Sequence, residues 1–337
     1  MTRAGQVALP DPPTDLLDRR LLFVTGKGGV GKTSIAAAMG SLAASRGQRT
    51  LLCEVDAKGD LAGAFETAPT QFREREIAPG LWAMTMDTEA SLREYLGLQL
   101  KLPLLARLGP LARTFDFVAN AAPGVKEILT VGKLCYEVRE RHYDLVVVDA
   151  PASGHIVGQL AAPEAINDLV KVGMVRDQTG WMLDILGDPA RTGVVVVATP
   201  EEMPVNETLE LAARLGEDTV VDLAGVVVNR VLPELFTRGE EKIFRELQRP
   251  DRTEALAAAV GARRSGAGAG PGAVEPLLDG ADLAVKLRRT RAEHLGVLRE
   301  GLPPGTQLLY VPELFQRSHG VRATRQIAEA LGAELGY

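Results

Sequence analysis

Leu21-Leu22-Phe23-Val24-Thr25-Gly26-Lys27-Gly28-Gly29-Val30-Gly31-Lys32-Thr33-Ser34 joins an apolar run to a glycine-rich loop and then to an Ala-rich segment. An apolar run without polar alternation reads as a strand buried on both faces, as in parallel sheets. The stretch from Lys32 to Arg46 reads as a helix, and Gly47 is a natural stop for it. Between them, Gly26 to Thr33 fits GxxxxGK[ST], and strand–loop–helix is the context that gives this spacing meaning. The glycines Gly28, Gly29 and Gly31 let the backbone N–H groups, including that of Val30, curl around phosphate oxygens. The helix N-terminus at Thr33 and Ser34 adds a partial positive charge. Lys32 then reaches the β and γ phosphates, and the Thr33 hydroxyl binds Mg²⁺. The expected ligands are therefore ATP and Mg²⁺.

Six further apolar runs are similar: Thr50–Val55, Leu81–Met86, Leu145–Val148, Val194–Ala198, Gly225–Val228 and Leu308–Val311. Helical stretches separate most of them, Glu207–Leu215 and Arg322–Leu335 among them. Strands alternating with helices predict a doubly wound α/β fold, a mostly parallel sheet covered on both faces. Two segments break the rhythm. Residues 88–143 contain no strand signal and read as an inserted helical subdomain, and Ala161–Asp188 reads as a shorter helical excursion. The Gly/Ala-rich stretch at about 261–274 reads as a mobile loop between two antiparallel helices.

The chain has 337 residues, which suits one large P-loop domain over residues 18–337. Residues 1–17 carry no apolar signal core and read as a flexible leader. The net charge of −6 argues against a surface built for nucleic acid, so no nucleic-acid partner is expected. No apolar run approaches the ~20 residues that span a bilayer, and a cytoplasmic location is expected. Two scattered cysteines, Cys53 and Cys135, suggest neither a disulfide framework nor a thiolate metal site.

Two aspartates follow apolar runs. Asp149 closes Asp144–Val148, the arrangement in which a carboxylate holds Mg²⁺ directly or through its water. Asp56 closes the second strand, at the sheet edge where ligands lie in such folds.

The form Gly26-Lys27-Gly28-Gly29-Val30-Gly31-Lys32-Thr33 resembles the deviant P-loop of the ATPases that include MinD/ParA, the nitrogenase iron protein and the ArsA/GET group. In that family the extra lysine, here Lys27, reaches across a dimer interface to the partner's phosphates. Asp149-Ala150-Pro151-Ala152-Ser153-Gly154-His155 resembles the DTAPTGH switch II of the ArsA/GET branch. Asp56-Ala57-Lys58-Gly59-Asp60-Leu61-Ala62-Gly63-Ala64-Phe65 resembles its DPAHSLSDAF switch I, with Ala57, Lys58 and Gly59 departing from the pattern. The resemblance gives Asp56 the role of polarising the attacking water and contacting the metal. It gives Lys27 and Lys32 the stabilisation of transferred charge. Val226–Arg230 resembles the family's VVNQ strand, whose Asn, here Asn229, reads adenine, and Pro312 sits where a proline loop lines the base.

The overall pattern is similar to single-P-loop ArsA-related ATPases of actinobacteria, which implies a homodimer or a heterodimer with a paralogue. The resemblance implies Mg-dependent ATP hydrolysis driving a conformational switch, with a hydrophobic or membrane-protein client as the first reading. The energy subunit of an arsenite efflux system and a MinD/ParA-type positioning ATPase are the alternatives. The insertion is Leu/Ala-rich and holds no methionine between Met86 and Met174, so it reads as a client groove or as the domain's own core.

Overall fold

The computed structural model describes residues 15–56, 59–100, 124–170, 172–263, 271–315 and 320–337. Among the described residues, eight strands form one sheet: β1 (Leu21–Gly26), β2 (Thr50–Glu54), β3 (Arg75–Ala78), β4 (Leu81–Thr85), β5 (Leu145–Asp149), β6 (Thr192–Ala198), β7 (Leu223–Val231) and β8 (Leu308–Pro312). Their order is β3-β4-β2-β5-β1-β6-β7-β8. All neighbours run parallel except β3 and β4. The seven apolar runs are the seven parallel strands. The eighth, β3, gave no sequence signal because Arg75 and Glu76 are exposed at an edge that pairs on one side only.

The helices are α1 (Lys32–Ser45), α2 (Asp60–Ala64), α3 (Thr88–Leu100), α4 (Val125–Arg139), α5 (Ser153–Leu169), α6 (Met174–Leu186), α7 (Glu202–Asp218), α8 (Arg238–Leu247), α9 (Pro250–Arg263), α10 (Val274–Gly301) and α11 (Val321–Leu335). They cover both faces of the sheet, and β1 shows how. Leu22 and Val24 face Ile35 and Met39 of α1 with Ile327 and Leu331 of α11. Leu21 and Phe23 face the other way, in one core with Leu134 of α4, Ile156 and Leu160 of α5, and Val205 and Leu211 of α7. Successive side chains of a strand point to opposite faces, so a strand covered twice is apolar along most of its length.

Residues 15–17, expected in the leader, belong to the folded part, and residues 1–14 lie outside the described residues. Leu16–Asp18 form a 3₁₀ turn capped by the Asp15 side chain, and Leu16 and Leu17 are buried. Two apolar side chains at that point extend the α1 face of the core. Of the loop expected at about 261–274, both ends are helical: α9 runs to Arg263, a 3₁₀ turn spans Pro271–Ala273 and α10 starts at Val274. The remainder of that loop and residues 101–123 of the helical insertion lie outside the described residues. Among the described residues, no helix is long and apolar enough to cross a membrane.

Candidate active site

The C-terminal ends of β1, β2, β5, β7 and β8 open onto one cavity of about 650 Å³. In open parallel sheets this edge is where ligands bind. Gly26 and Gly31 fix the loop between β1 and α1. Gly26 has φ of 145°, and a Cβ there would lie 2.2 Å from the Val197 carbonyl oxygen on β6. Gly31 has φ of 97°, and a Cβ there would lie 2.5 Å from the Asn229 amide nitrogen. Both positions therefore exclude any side chain, by space and by backbone conformation.

Gly28, Gly29, Gly31, Lys32, Thr33 and Ser34 all line the cavity. Val30 does not; its side chain is buried in the α1-face core, which leaves only its backbone for a ligand. The Thr33 hydroxyl donates to Asp149 Oδ2 at 2.7 Å, across 116 residues of sequence. Lys32 Nζ donates to the Lys27 carbonyl at 3.2 Å, so its ammonium is held over the loop. Burial pushes the Asp149 carboxyl up to about 6, against the opposing effects of the Thr33 hydrogen bond and the Lys32 charge, with Glu54 and Asp60 adding to the rise. Asp56 is exposed and lines the same cavity, two residues past β2. Ala57 and Lys58, where switch I departs from the resemblance, lie outside the described residues.

Thr25 ties the start of switch II to the loop. Its hydroxyl donates to the Pro151 carbonyl at 2.7 Å. His155 is exposed in the first turn of α5. Asn229 and Pro312 line the cavity, and Asn229 makes two hydrogen bonds within the chain. Its Nδ2 donates to the Val30 carbonyl at 2.8 Å and its Oδ1 accepts from the Arg230 amide at 2.9 Å. Asn229 therefore braces the phosphate loop from β7. Lys27 does not line the cavity. Its ammonium pairs with the Glu207 carboxylate on α7 of the same chain.

Sequence reasoning passed over Glu54, Asp60 and Arg230, which also line the cavity. Glu54 carried a visible signal, as the one charged residue inside the seven apolar runs. Arg230 carried none, although its φ of 58° is rare for a residue with a side chain.

The donor set fits a hydrated divalent cation: a hydroxyl and a buried carboxylate in contact, with a lysine beside them, all oxygen donors on the metal side. A thiolate site is not formed. Cys53 and Cys135 are both fully buried, and burial pushes both thiols up, so neither ionises at neutral pH.

Comparison with known proteins gives the family. The model of a family described as anion-transporting ATPase matches residues 19–184 and 171–249. The ATPase BagA of Mycobacterium tuberculosis is 34% identical over 232 residues, covering 66% of this chain and 68% of that protein. An arsenical pump-driving ATPase of Acidiphilium multivorum is 28% identical over 240 residues, covering 63% and 40%. An ATPase ASNA1 homolog of Entamoeba dispar is 24% identical over 250 residues, covering 63% and 76%.

Proposed function

The chain belongs to the anion-transporting ATPase family and is an ATP-hydrolysing enzyme, and from that premise we propose that it works as a Mg²⁺-dependent dimeric switch. The observation that carries this reading is the Thr33–Asp149 hydrogen bond beside Lys32, at the mouth of a loop in which Gly26 and Gly31 leave no room for a side chain.

In this reading the N–H groups of Gly28 to Ser34 bind the nucleotide phosphates, and Lys32 leaves the Lys27 carbonyl to neutralise the β and γ oxygens. Thr33 and Asp149 hold the magnesium ion, which supplies charge neutralisation for the leaving phosphates. Asp56 accepts a hydrogen bond from the attacking water and holds it in line. Asn229 and Pro312 contact the base, and the Asn229 bond to Val30 keeps base and phosphate subsites in register. Loss of the γ-phosphate releases Asp56 and the segment after Asp149.

Lys27 acts in trans, on the phosphates held by a partner copy or paralogue. In this chain it pairs with Glu207, so closure of the dimer exchanges that partner for phosphate. The client is apolar. A cavity of about 520 Å³ between α3, α4 and α6 is lined by Leu92, Tyr95, Ile128, Leu129, Trp181 and Met182. An arsenite-handling role is less well supported, because both thiols are buried and protonated. A membrane-positioning role is also less well supported. Ile327 and Leu331 of α11 are buried in the core shared with α1.

The test is ATP turnover per chain as a function of protein concentration, for the natural chain and Lys27→Ala. A rate that climbs with concentration and is lost in the variant, with ATP binding kept, supports a self-completing dimer. Full turnover by Lys27→Ala would remove the trans-acting lysine. Tight ATP binding with negligible, concentration-independent turnover would replace the homodimer with a heterodimer.

A further inference from the structure

Glu54 is the last residue of β2, in register with Asp149 on the neighbouring β5. Residues paired this way on adjacent parallel strands sit ~4.8 Å apart and point to the same face. The side chain is 2% exposed, yet the residue lines the nucleotide cavity. Its two oxygens have different surroundings. Oε1 accepts from the Asp60 amide at 2.9 Å, which anchors the first turn of α2. Oε2 is buried and has no hydrogen-bond partner among the described residues. An acceptor left this way is costly, and a carboxylate more so.

A purely structural role does not require an acid here. One neutral acceptor would satisfy the Asp60 amide. The second oxygen adds negative charge beside Asp149 and Asp60, and all three line the cavity. Glu54 and Asp149 are buried side by side while Asp60 is exposed at the cavity edge, and two buried carboxylates in register are stabilised when positive charge joins them. A magnesium ion keeps several of its waters when bound, and each water needs an acceptor for its hydrogens.

We propose that Glu54 is a positioning residue of the metal site: its Oε2 accepts a hydrogen bond from a metal-bound water, while Oε1 ties that site to the switch I helix α2. The inference rests on the magnesium reading above. It adds a third protein group to Thr33 and Asp149, one that does not touch the ion itself. It also gives switch I a link to the metal that does not pass through Asp56.

Mn²⁺ is the probe, because its paramagnetism reports free and bound metal without turnover. The full chain saturated with ADP is titrated with Mn²⁺, and ADP affinity is measured separately in EDTA. Glu54→Gln keeps an acceptor for the Asp60 amide and removes the charge; Glu54→Asp keeps the charge on a shorter stem. The expected result is a loss of about tenfold or more in Mn²⁺ affinity for Glu54→Gln, the size typical of groups that orient a metal's ligands. Glu54→Asp should lose less. Metal-free ADP affinity should hold or rise in Glu54→Gln, because a negative charge near the phosphates is gone. Unchanged Mn²⁺ affinity in Glu54→Gln would overturn the proposal. So would a parallel fall in metal-free ADP binding, which marks a residue that only supports the fold. Failure of the natural chain to bind Mn²⁺ with ADP would instead remove the magnesium reading, and Glu54's part with it.

Discussion

Asp149 is held in a state that folding alone disfavours. An unperturbed aspartate titrates near 3.9, whereas burial holds this one at about 6. Between those values the folded chain binds a proton that the unfolded chain has already released. Metal-free stability therefore falls as pH rises from about 4 to 6, and the cost, on the order of 2–3 kcal/mol, is fully expressed above that window. In EDTA, Asp149→Asn should be the more stable protein at pH 7.5 and should flatten the slope between pH 4.5 and 7. Urea melts at pH 4.5, 7 and 7.5 measure both, and an unchanged slope would assign the pH dependence to another group. Asn229 gives a second prediction. Asn229→Ala should lose about 1–3 kcal/mol without nucleotide, because the Val30 carbonyl loses a buried donor. Undiminished stability with weakened nucleotide binding would limit Asn229 to the base. Gly26 to Thr33 and Asp149 were legible because short-range spacing encodes the loop and an apolar run announces the acid. The Asn229 brace and the Lys27–Glu207 pair were not, because they join positions 199 and 180 residues apart. No local pattern records such pairings.

The same contrast holds for elements. The seven parallel strands were legible because a strand covered on both faces is built mostly from apolar side chains. β3 was missed because it is an exposed edge, and α7 begins five residues before the expected Glu207 because Pro204 suits a first helical turn. α11 was legible as a core helix, and its packing makes a direct prediction. Leu331 is 1% exposed, so Leu331→Ala should cost about 2–4 kcal/mol in denaturant melts. A negligible loss would reopen the assignment of that helix to another surface. Lys133 on α4 is less obvious. Its ammonium meets Glu74 at 3.3 Å, Glu94 at 2.9 Å and Glu137 at 2.7 Å, and Glu137 also meets His142 Nδ1 at 2.7 Å. Burial alone would lower the Lys133 pKa, but the hydrogen bonds and charges of Glu137 and Glu94 outweigh it and raise the value. Lys133→Leu would leave three carboxylates facing one another. It should destabilise the chain by about 3–5 kcal/mol at pH 7.5 and by much less at pH 4.5, where carboxylates begin to protonate. Equal losses at the two pH values would reduce Lys133 to a packing residue.

Across the whole molecule, one helix connects the nucleotide edge to the apolar cavity. α5 starts in the segment after Asp149 and packs beside α4 and α6, whose side chains line that cavity. Trp181 lies in the cavity wall, and Arg139 stacks on it at 4.9 Å. If the switch is read out there, Trp181 emission should differ between ATP and ADP, and the difference should vanish in Trp181→Phe and in Lys32→Ala. Identical emission in both nucleotide states would uncouple the cavity from hydrolysis. The sheet order has one more consequence. β1 carries the phosphate loop early in the chain, yet its neighbours β5 and β6 begin at Leu145 and Thr192, and the loop's brace comes at position 229. On a ribosome adding ~5–20 residues per second, roughly 10–40 s separate the emergence of Thr33 from that of Asn229. A nascent chain therefore displays its ATP signature long before it can hold ATP, and its apolar strands depend meanwhile on chaperones or on the exit tunnel for cover.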